Sequence, residues 1–258
     1  MTDTLKALIL GVVQGLTEFL PVSSSGHLIA MEKLLGFEAP LPFDVSLHVA
    51  TLAAVLLYFG RYIVKVLRTP EARPLALRVL VGTIPAGIMG YAAHDFREHI
   101  PVWVVVAGWL CSGTYLLLTG RREGTCDASR TSLPNALLIG GSQGIAAVLP
   151  GFSRSGASLA SGLWLGLKRE EAFRFSFLLA IPVMLGAGLV EGRKLFGHGA
   201  VEVPGGWPAL VLAMAAAFLV GMLAIHILYR AVVGKNFHRF GWYNLSAAVL
   251  FAIYLFTH

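Results

Sequence analysis

Apolar residues in this chain gather into blocks too long for the strands of a soluble sheet. Six of them approach the length of a bilayer crossing: residues 43–60, 79–93, 101–118, 173–190, 208–229 and 242–256. Several fall short of the roughly 20 residues that cross about 30 Å of hydrocarbon at about 1.5 Å per residue, so their flanks are expected to extend them. Trp103, Trp109, Trp207 and Trp242 stand at or near block ends, the usual place of interfacial anchors. Thr83 with Pro85, and Pro182, interrupt blocks and read as kinks.

Two further stretches break the pattern, because apolar residues there surround clustered polar ones. Residues 10–27 read LGVVQGLTEFLPVSSSGH and residues 139–156 read IGGSQGIAAVLPGFSRSG. A shift of 129 positions lays Gly140 over Gly11, Gln143 over Gln14, Gly144 over Gly15 and Pro150 over Pro21. One residue of adjustment then lays Ser155-Gly156 over Ser25-Gly26, Leu165-Gly166 over Leu35-Gly36, and Phe173, Ser176 and Ala180 over Phe43, Ser46 and Ala50. This ordered set points to an internal duplication rather than to chance in a Gly- and Leu-rich chain.

Composition sharpens the class. Of 258 residues, 56% are hydrophobic and only 13% are charged, about half the charged fraction of soluble domains. The net charge of +6 needs no nucleic acid to explain it, since basic residues collect in the cytoplasmic loops of membrane proteins. Cys111 and Cys126 form neither a disulfide framework nor a metal-ligand spacing. Lys6 and the apolar start raise a cleaved signal peptide. Pro21 and the polar run 23–27 follow without a small-x-small cleavage pattern, so the start reads as part of the mature protein.

Loop charge sets the orientation. Arg61, Lys65, Arg68, Arg73 and Arg78 mark a cytoplasmic loop at 61–78, whereas Asp95 and Glu98 offset Arg97 in an external loop at 94–100. Arg121, Arg122 and Arg130 bring the 119–132 linker back to the cytoplasm, where Lys168 with Arg169, and Arg230 with Lys235 and Arg239, also belong. The 191–207 loop, with Arg193 and Lys194 against Glu191 and Glu202, falls outside by alternation; no chemistry is assigned to Glu191 or to the His198 loop. Segment 133–167 then begins and ends on one side, which makes it a re-entrant hairpin. The expected fold is an all-α polytopic membrane protein built as an inverted-topology repeat. Residues 1–118 and 133–258 form the halves, each a re-entrant hairpin plus three transmembrane helices. Paired breaks at corresponding positions of such halves mark binding sites in transport folds.

The hairpins carry the candidate chemistry. Gln14 and Glu18 lie one helical turn apart and share a face, and Pro21 ends that helix before Ser23, Ser24, Ser25, Gly26 and His27. The serines read as anion-binding hydroxyls and also as ordinary turn and cap material. The second hairpin offers Gln143, Ser153, Arg154, Ser155 and Gly156. An Arg at membrane depth costs about 2.5–3.5 kcal/mol on insertion scales, so Arg154 needs a reason. An oxyanion site between Ser153 and Ser155, a structural pair with Glu18, and snorkelling to the interface are the three readings. Glu18 could hold a divalent cation, act as a base or serve as a counter-ion, and His27 could transfer a proton, attack as a nucleophile or be structural. Asp44 and His48, one turn apart, could line the cavity or join helices; His226 falls near a cytoplasmic span end.

Two runs resemble the signatures of the bacterial undecaprenyl-diphosphatase family, the integral-membrane phosphatases also known as bacitracin-resistance proteins. They are Gln14-Gly15-Leu16-Thr17-Glu18-Phe19-Leu20-Pro21-Val22-Ser23-Ser24-Ser25-Gly26-His27 and Pro150-Gly151-Phe152-Ser153-Arg154-Ser155-Gly156-Ala157. The likeness extends to FDVSLHVATLAAV at 43–55 and FRFSFLLAIPVMLGA at 173–187. The resemblance implies hydrolysis of undecaprenyl diphosphate to undecaprenyl phosphate and inorganic phosphate, on the outer face of the bacterial cytoplasmic (inner) membrane, to recycle the carrier for wall synthesis. It implies a divalent cation, Mg²⁺ or Ca²⁺, with Glu18 as ligand and Gln14 as a candidate second. It places Glu18, Ser24, His27 and Arg154 on the catalytic positions, with Gln14, Ser23, Ser25, Gly26, Gln143, Ser153, Ser155 and Gly156 around the substrate. Gln14 stands where many members carry an acid, and His48 where many carry Gln. The partners implied are the lipid diphosphate and membrane lipid, with a homodimer left open. A lipid-phosphate or anion transporter, or a flippase using the same cavity, is the rival reading.

Overall fold

The computed structural model describes residues 1–37, 39–93, 100–195 and 205–257. These residues form ten α-helices: α1 Asp3–Phe19, α2 Ser24–Leu35, α3 Leu41–Arg68, α4 Arg73–Ala93, α5 Trp103–Thr119, α6 Leu133–Val148, α7 Arg154–Trp164, α8 Arg169–Leu195, α9 Gly206–Val233 and α10 Phe240–Thr257. Five helical stretches are long and apolar enough to cross a membrane, at Pro42–Arg68, Pro70–Ala93, Arg169–Val190, Gly206–Val233 and Phe237–Thr257. Helix α5 is apolar but only 17 residues long. Large apolar side chains such as Leu57, Leu80, Leu219, Leu250 and Phe256 remain exposed along these helices, as expected where hydrocarbon is the solvent. The protein is an all-α, multi-pass membrane protein.

Each of the six expected blocks falls on a helix, and five of those helices start before the block; α5 instead starts at Trp103, two residues inside the 101–118 block. The 61–78 stretch is not a loop: α3 carries Arg61 and Lys65 to its end at Arg68, and α4 already begins at Arg73. Lys65 and Arg68 suit the C-terminus of α3, where they face the negative end of its dipole, whereas Arg73 and Arg78 lie in the first turns of α4. Helix α8 likewise runs to Leu195 and takes up positions 191–195. Asp95, Arg97 and Glu98, expected in an external loop, lie outside the described residues together with His198 and Glu202, as do the side chains of Glu191, Arg193 and Lys194. Helices α4 and α8 continue through Pro85 and Pro182, and His226 lies exposed on α9.

The tryptophans divide. Trp103, Trp207 and Trp242 are exposed, but Trp109 is fully buried in the interior of α5 and is no interfacial anchor. Its indole N–H donates to the Val22 carbonyl at 2.9 Å. Position along the span could not reveal that partner, because it lies in the turn after α1.

Local chemistry starts and stops the short helices in the same way twice. Ser23 caps α2 by accepting from Gly26 N–H at 3.4 Å, and Ser153 caps α7 by accepting from Gly156 N–H at 3.1 Å. A glycine with positive φ follows each helix, Gly36 at 53° directly after α2 and Gly166 at 86° after the Leu165 cap of α7. The following N–H then reaches back five residues, from Phe37 to Glu32 and from Leu167 to Gly162, which satisfies carbonyls that a helix end otherwise leaves open.

Helix α1 packs along α9 and α6 packs along α4, while α5 lies against α10 and α3 against α8. One apolar core joins Phe19, Phe59, Phe173 and Phe177 at the α1, α3 and α8 contacts, with ring centroids 4.7–5.7 Å apart. The 119–132 linker is tied to the segment after α7 by hydrogen bonds from Cys126 N to Gly166 O and from Lys168 N to Cys126 O, both 2.9 Å.

Candidate active site

The turn between α1 and α2 meets the turn between α6 and α7. A methyl group on Gly26 would lie 3.2 Å from Gly151 Cα, and one on Gly156 would lie 3.1 Å from Pro21 Cβ. Both glycines of the signatures therefore act first as contact points between the turns. The Ser155 hydroxyl donates to Leu20 O across the junction at 3.2 Å. Asn244 on α10 donates to Pro21 O at 2.9 Å and to Ser112 Oγ at 3.3 Å, and Ser112 in turn accepts from Ser153 N at 3.3 Å. Polar groups from α5 and α10 thus satisfy the backbone of two irregular segments.

Glu18 is the centre of the polar cluster. It is buried and accepts at Oε2 from Ser24 Oγ at 2.6 Å and from Gln14 Nε2 at 3.2 Å. Its Oε1 accepts a short hydrogen bond from Arg154 Nη2. His48 Nε2 stands 3.8 Å from Oε2, while its Nδ1 donates to the Asp44 carbonyl at 2.9 Å. Arg154 also touches Met184 Sδ at 3.5 Å. Of the residues singled out by sequence, Gln14, Glu18, Ser24 and Arg154 come together directly, and His48 joins them.

The other candidates have different neighbours. His27 Nδ1 lies 2.8 Å from Ser23 O, and Nε2 lies 2.8 Å from the Tyr243 hydroxyl. A carbonyl only accepts, so Nδ1 carries the proton and Nε2 accepts from Tyr243. The imidazole stacks on Tyr243 and meets Trp109 edge-on, at centroid distances of 5.6 and 5.0 Å. The hydroxyls of Ser23 and Ser25 are 3.3 Å apart, as those of Ser153 and Ser155 are 3.2 Å apart. Gln143 is buried and donates to Leu179 O at 3.4 Å.

Hard-oxygen donors for a divalent cation are present but few. The Gln14 Oε1 atom is buried without a hydrogen-bond partner beside the Glu18 carboxylate. Among the described residues, no group of three or more His, Cys, Asp and Glu side chains gathers. One carboxylate and one amide oxygen suit Mg²⁺ or Ca²⁺ in kind, and phosphate oxygens would have to complete the shell.

A family model describing bacitracin resistance protein BacA matches residues 7–250. The chain belongs to this family. Members similar over nearly their whole length include the undecaprenyl-diphosphatases of Desulfosudis oleivorans, 42% identical with 93% of this chain and 94% of the relative covered, and of Methanosphaera stadtmanae, 37% identical with 94% and 95% covered. The undecaprenyl-diphosphatase of Geobacter sulfurreducens is 38% identical, with 99% of both chains covered.

Within this BacA-family chain, sequence reasoning passed over Ser112, Tyr243, Asn244 and Met184, and misread Trp109. Asn244 carried a usable signal, since a buried amide inside an otherwise apolar span needs a partner. Met184 and Tyr243 carried none, because an apolar residue or a span-end tyrosine is common in any membrane helix.

Proposed function

We propose that this chain removes the terminal phosphate of undecaprenyl diphosphate, leaving undecaprenyl phosphate and inorganic phosphate. Membership in the BacA family supports the reaction, and one observation supports its assignment to residues: a single carboxylate, Glu18, binds both the Ser24 hydroxyl and the Arg154 guanidinium.

In this reading the diphosphate displaces Glu18 from part of the Arg154 fork and takes up the freed donors. A planar fork suits phosphate oxygens, and a fixed cation stabilises charge developing on the transferred group. Ser24 Oγ attacks the terminal phosphorus while its proton passes to Glu18, and the phosphoanhydride bond breaks toward the lipid monophosphate. Water then cleaves the phosphoserine and regenerates the hydroxyl. His27 exchanges protons at Nε2, with its ring held at Nδ1 by Ser23 O. A divalent cation at Glu18 and Gln14 would neutralise and orient the diphosphate.

We read the architecture as an inverted duplication with two re-entrant hairpins, opening to the outer face. Support comes from the paired caps at Ser23 and Ser153, the paired ends at Gly36 and Gly166, and the exchanged packing of α1 on α9 and α6 on α4. The same features favour a second reading, movement of the lipid phosphate across the bilayer, because opposed hairpins are a transporter device.

The deciding experiment is phosphate release from undecaprenyl diphosphate by purified protein in detergent, with and without Mg²⁺ or Ca²⁺. Absence of release under both conditions would end the hydrolytic reading. For orientation, an impermeant thiol reagent on sealed cells should label Pro101→Cys and leave Cys126 unlabelled. The reverse pattern would invert the topology.

A further inference from the structure

Helices α4 and α6 pack backbone to backbone and then part. A methyl group on Gly140 would lie 1.7 Å from Gly82 O, and one on Gly144 would lie 2.7 Å from Met89 Sδ and 3.2 Å from Ala86 Cα. Past that contact they flank an open apolar cavity of ≈ 300 Å³ lined by Met89, Ala92, Ala93, Ile100 and Val148. Ile100 also walls a smaller hollow of ≈ 80 Å³ that reaches Ser25 and Pro150, one in each hairpin turn.

Between the corresponding helices of the other half, an aromatic ring stands at the aligned position. Gly11 and Gly15 of α1 approach Ala213 and Ala217 of α9 as Gly140 and Gly144 approach α4. One turn later α1 presents Phe19, whose ring lies 2.9 Å from a methyl built on Gly221 and is itself fully buried. The shift that aligns the hairpins lays Val148 over Phe19. A small residue thus stands where the other half uses an aromatic ring.

We infer that the cavity between α4 and α6 holds the first isoprene units of the substrate's prenyl chain, with Ile100 and Pro150 guiding the chain from the hairpin turns. This rests on the hydrolytic reading above and extends it to chain recognition. Lipid tails are as apolar as the cavity wall, so burial alone gives no preference over bilayer lipid. What selects the prenyl chain is its covalent link to a diphosphate already held at the turns, which raises its local concentration.

The test uses full-length protein in detergent with farnesyl and undecaprenyl diphosphate as substrates, and inorganic pyrophosphate as a chainless inhibitor. Val148→Phe, which fills the cavity with the ring found at the aligned position, should raise KM for both prenyl substrates by about tenfold or more, the discrimination a misfit in an apolar pocket carries. Its Ki for pyrophosphate should stay at the wild-type value, and its thermal stability should not fall. Ala92→Trp, on the opposite wall, should reproduce the split, whereas Ile84→Trp, on the exposed face of α4, should not. Unchanged KM in both cavity variants would show that bilayer lipid fills the space and would overturn the inference. So would a parallel rise in KM and in the pyrophosphate Ki. Wild-type protein that cleaves neither prenyl diphosphate would instead remove the parent reading, a distinguishable result.

Discussion

The carboxylate of Glu18 on α1 accepts from the guanidinium of Arg154, the first residue of α7, although 136 positions separate them. Glu18 precedes the turn between α1 and α2 and Arg154 follows the turn between α6 and α7, so the pair joins the two turns. If Arg154 meets the diphosphate, Arg154→Ala should lower kcat/KM by about 10²–10³-fold, the usual effect of deleting a donor to a developing oxyanion. Arg154→Lys should recover little of it, because an ammonium does not reproduce the fork. The structural-pair reading makes a different forecast, in which Arg154→Ala lowers thermal stability and Arg154→Lys restores it. Steady-state phosphate release and thermal denaturation of the same variants separate the two.

Ser24 donates to Glu18 at 2.6 Å, the arrangement of a nucleophile with its base. Ser24→Ala should therefore be nearly inactive, and acid quenching of wild-type enzyme during turnover should trap phosphate on the peptide containing Ser24. Mass spectrometry reads this directly. Residual activity within about tenfold of wild type in Ser24→Ala, on the scale of a lost hydrogen bond, would transfer the attack to water.

Much of this site was legible because charge is expensive in hydrocarbon. Glu18 and Arg154 stood out in apolar sequence, and each needed a partner of opposite sign. The recurring pattern was equally visible, since glycines at contact points and serines at caps recur in order. Side-chain direction was not visible. Sequence placed Ser24 and His27 in one cluster, yet Ser24 bonds to Glu18 whereas His27 bonds to Ser23 and Tyr243. Trp109 failed as an interfacial residue for a related reason: its partner is a backbone carbonyl of a distant turn, and backbone acceptors carry no residue signature.

His27 is anchored at Nδ1 and meets Tyr243 at Nε2. His27→Ala should lower kcat by about 10²-fold if the imidazole transfers protons, the lower end of such effects. Tyr243→Phe should cost at most about threefold, because the ring keeps its Nδ1 anchor and its stacking partner, and one neutral hydrogen bond contributes little net energy. Rate measurements across pH check both. Equal losses in the two variants would make Tyr243 part of the proton path.

Gly151 has a φ of +89°, and a methyl there would lie 2.2 Å from Val105 O. Both the backbone conformation and the close approach of α5 demand glycine. Gly151→Ala should sharply lower thermal stability and activity together, since the second turn positions Arg154. Gly141→Ala is the control, for a methyl there meets nothing within 4 Å in the middle of α6. It should be neutral or stabilising by up to about 1 kcal/mol, from helix propensity. Thermal denaturation of the two variants in one detergent tests the contrast.

The clasp between the 119–132 linker and the segment after α7 should be sensitive to pH. Lys168 Nζ donates to Asp127 Oδ1 at 2.7 Å beside the Cys126–Gly166 backbone bond. That hydrogen bond, and then the ammonium charge, hold the Asp127 carboxyl below its ordinary value of 3.8. The same contact holds Lys168 above 10.5. A depressed carboxyl stabilises the folded state above its unfolded value, and the contribution is lost as pH falls through the lower, folded value. A raised amine acts oppositely, stabilising below 10.5 and losing its contribution as pH rises through the higher, folded value. The two statements describe one ion pair, so they bound a single window. Both groups are exposed, so the effect is local and weakens with salt. Hydrogen exchange at the Cys126 and Lys168 amides, corrected for intrinsic rates, should show flat protection between 3.8 and 10.5 and a fall beyond either edge. Asp127→Asn should remove both edges and leave the neutral-pH protection slightly reduced. If the acid edge persists in Asp127→Asn, another carboxyl governs the linker, and Glu123, paired with Lys235, is the next to replace.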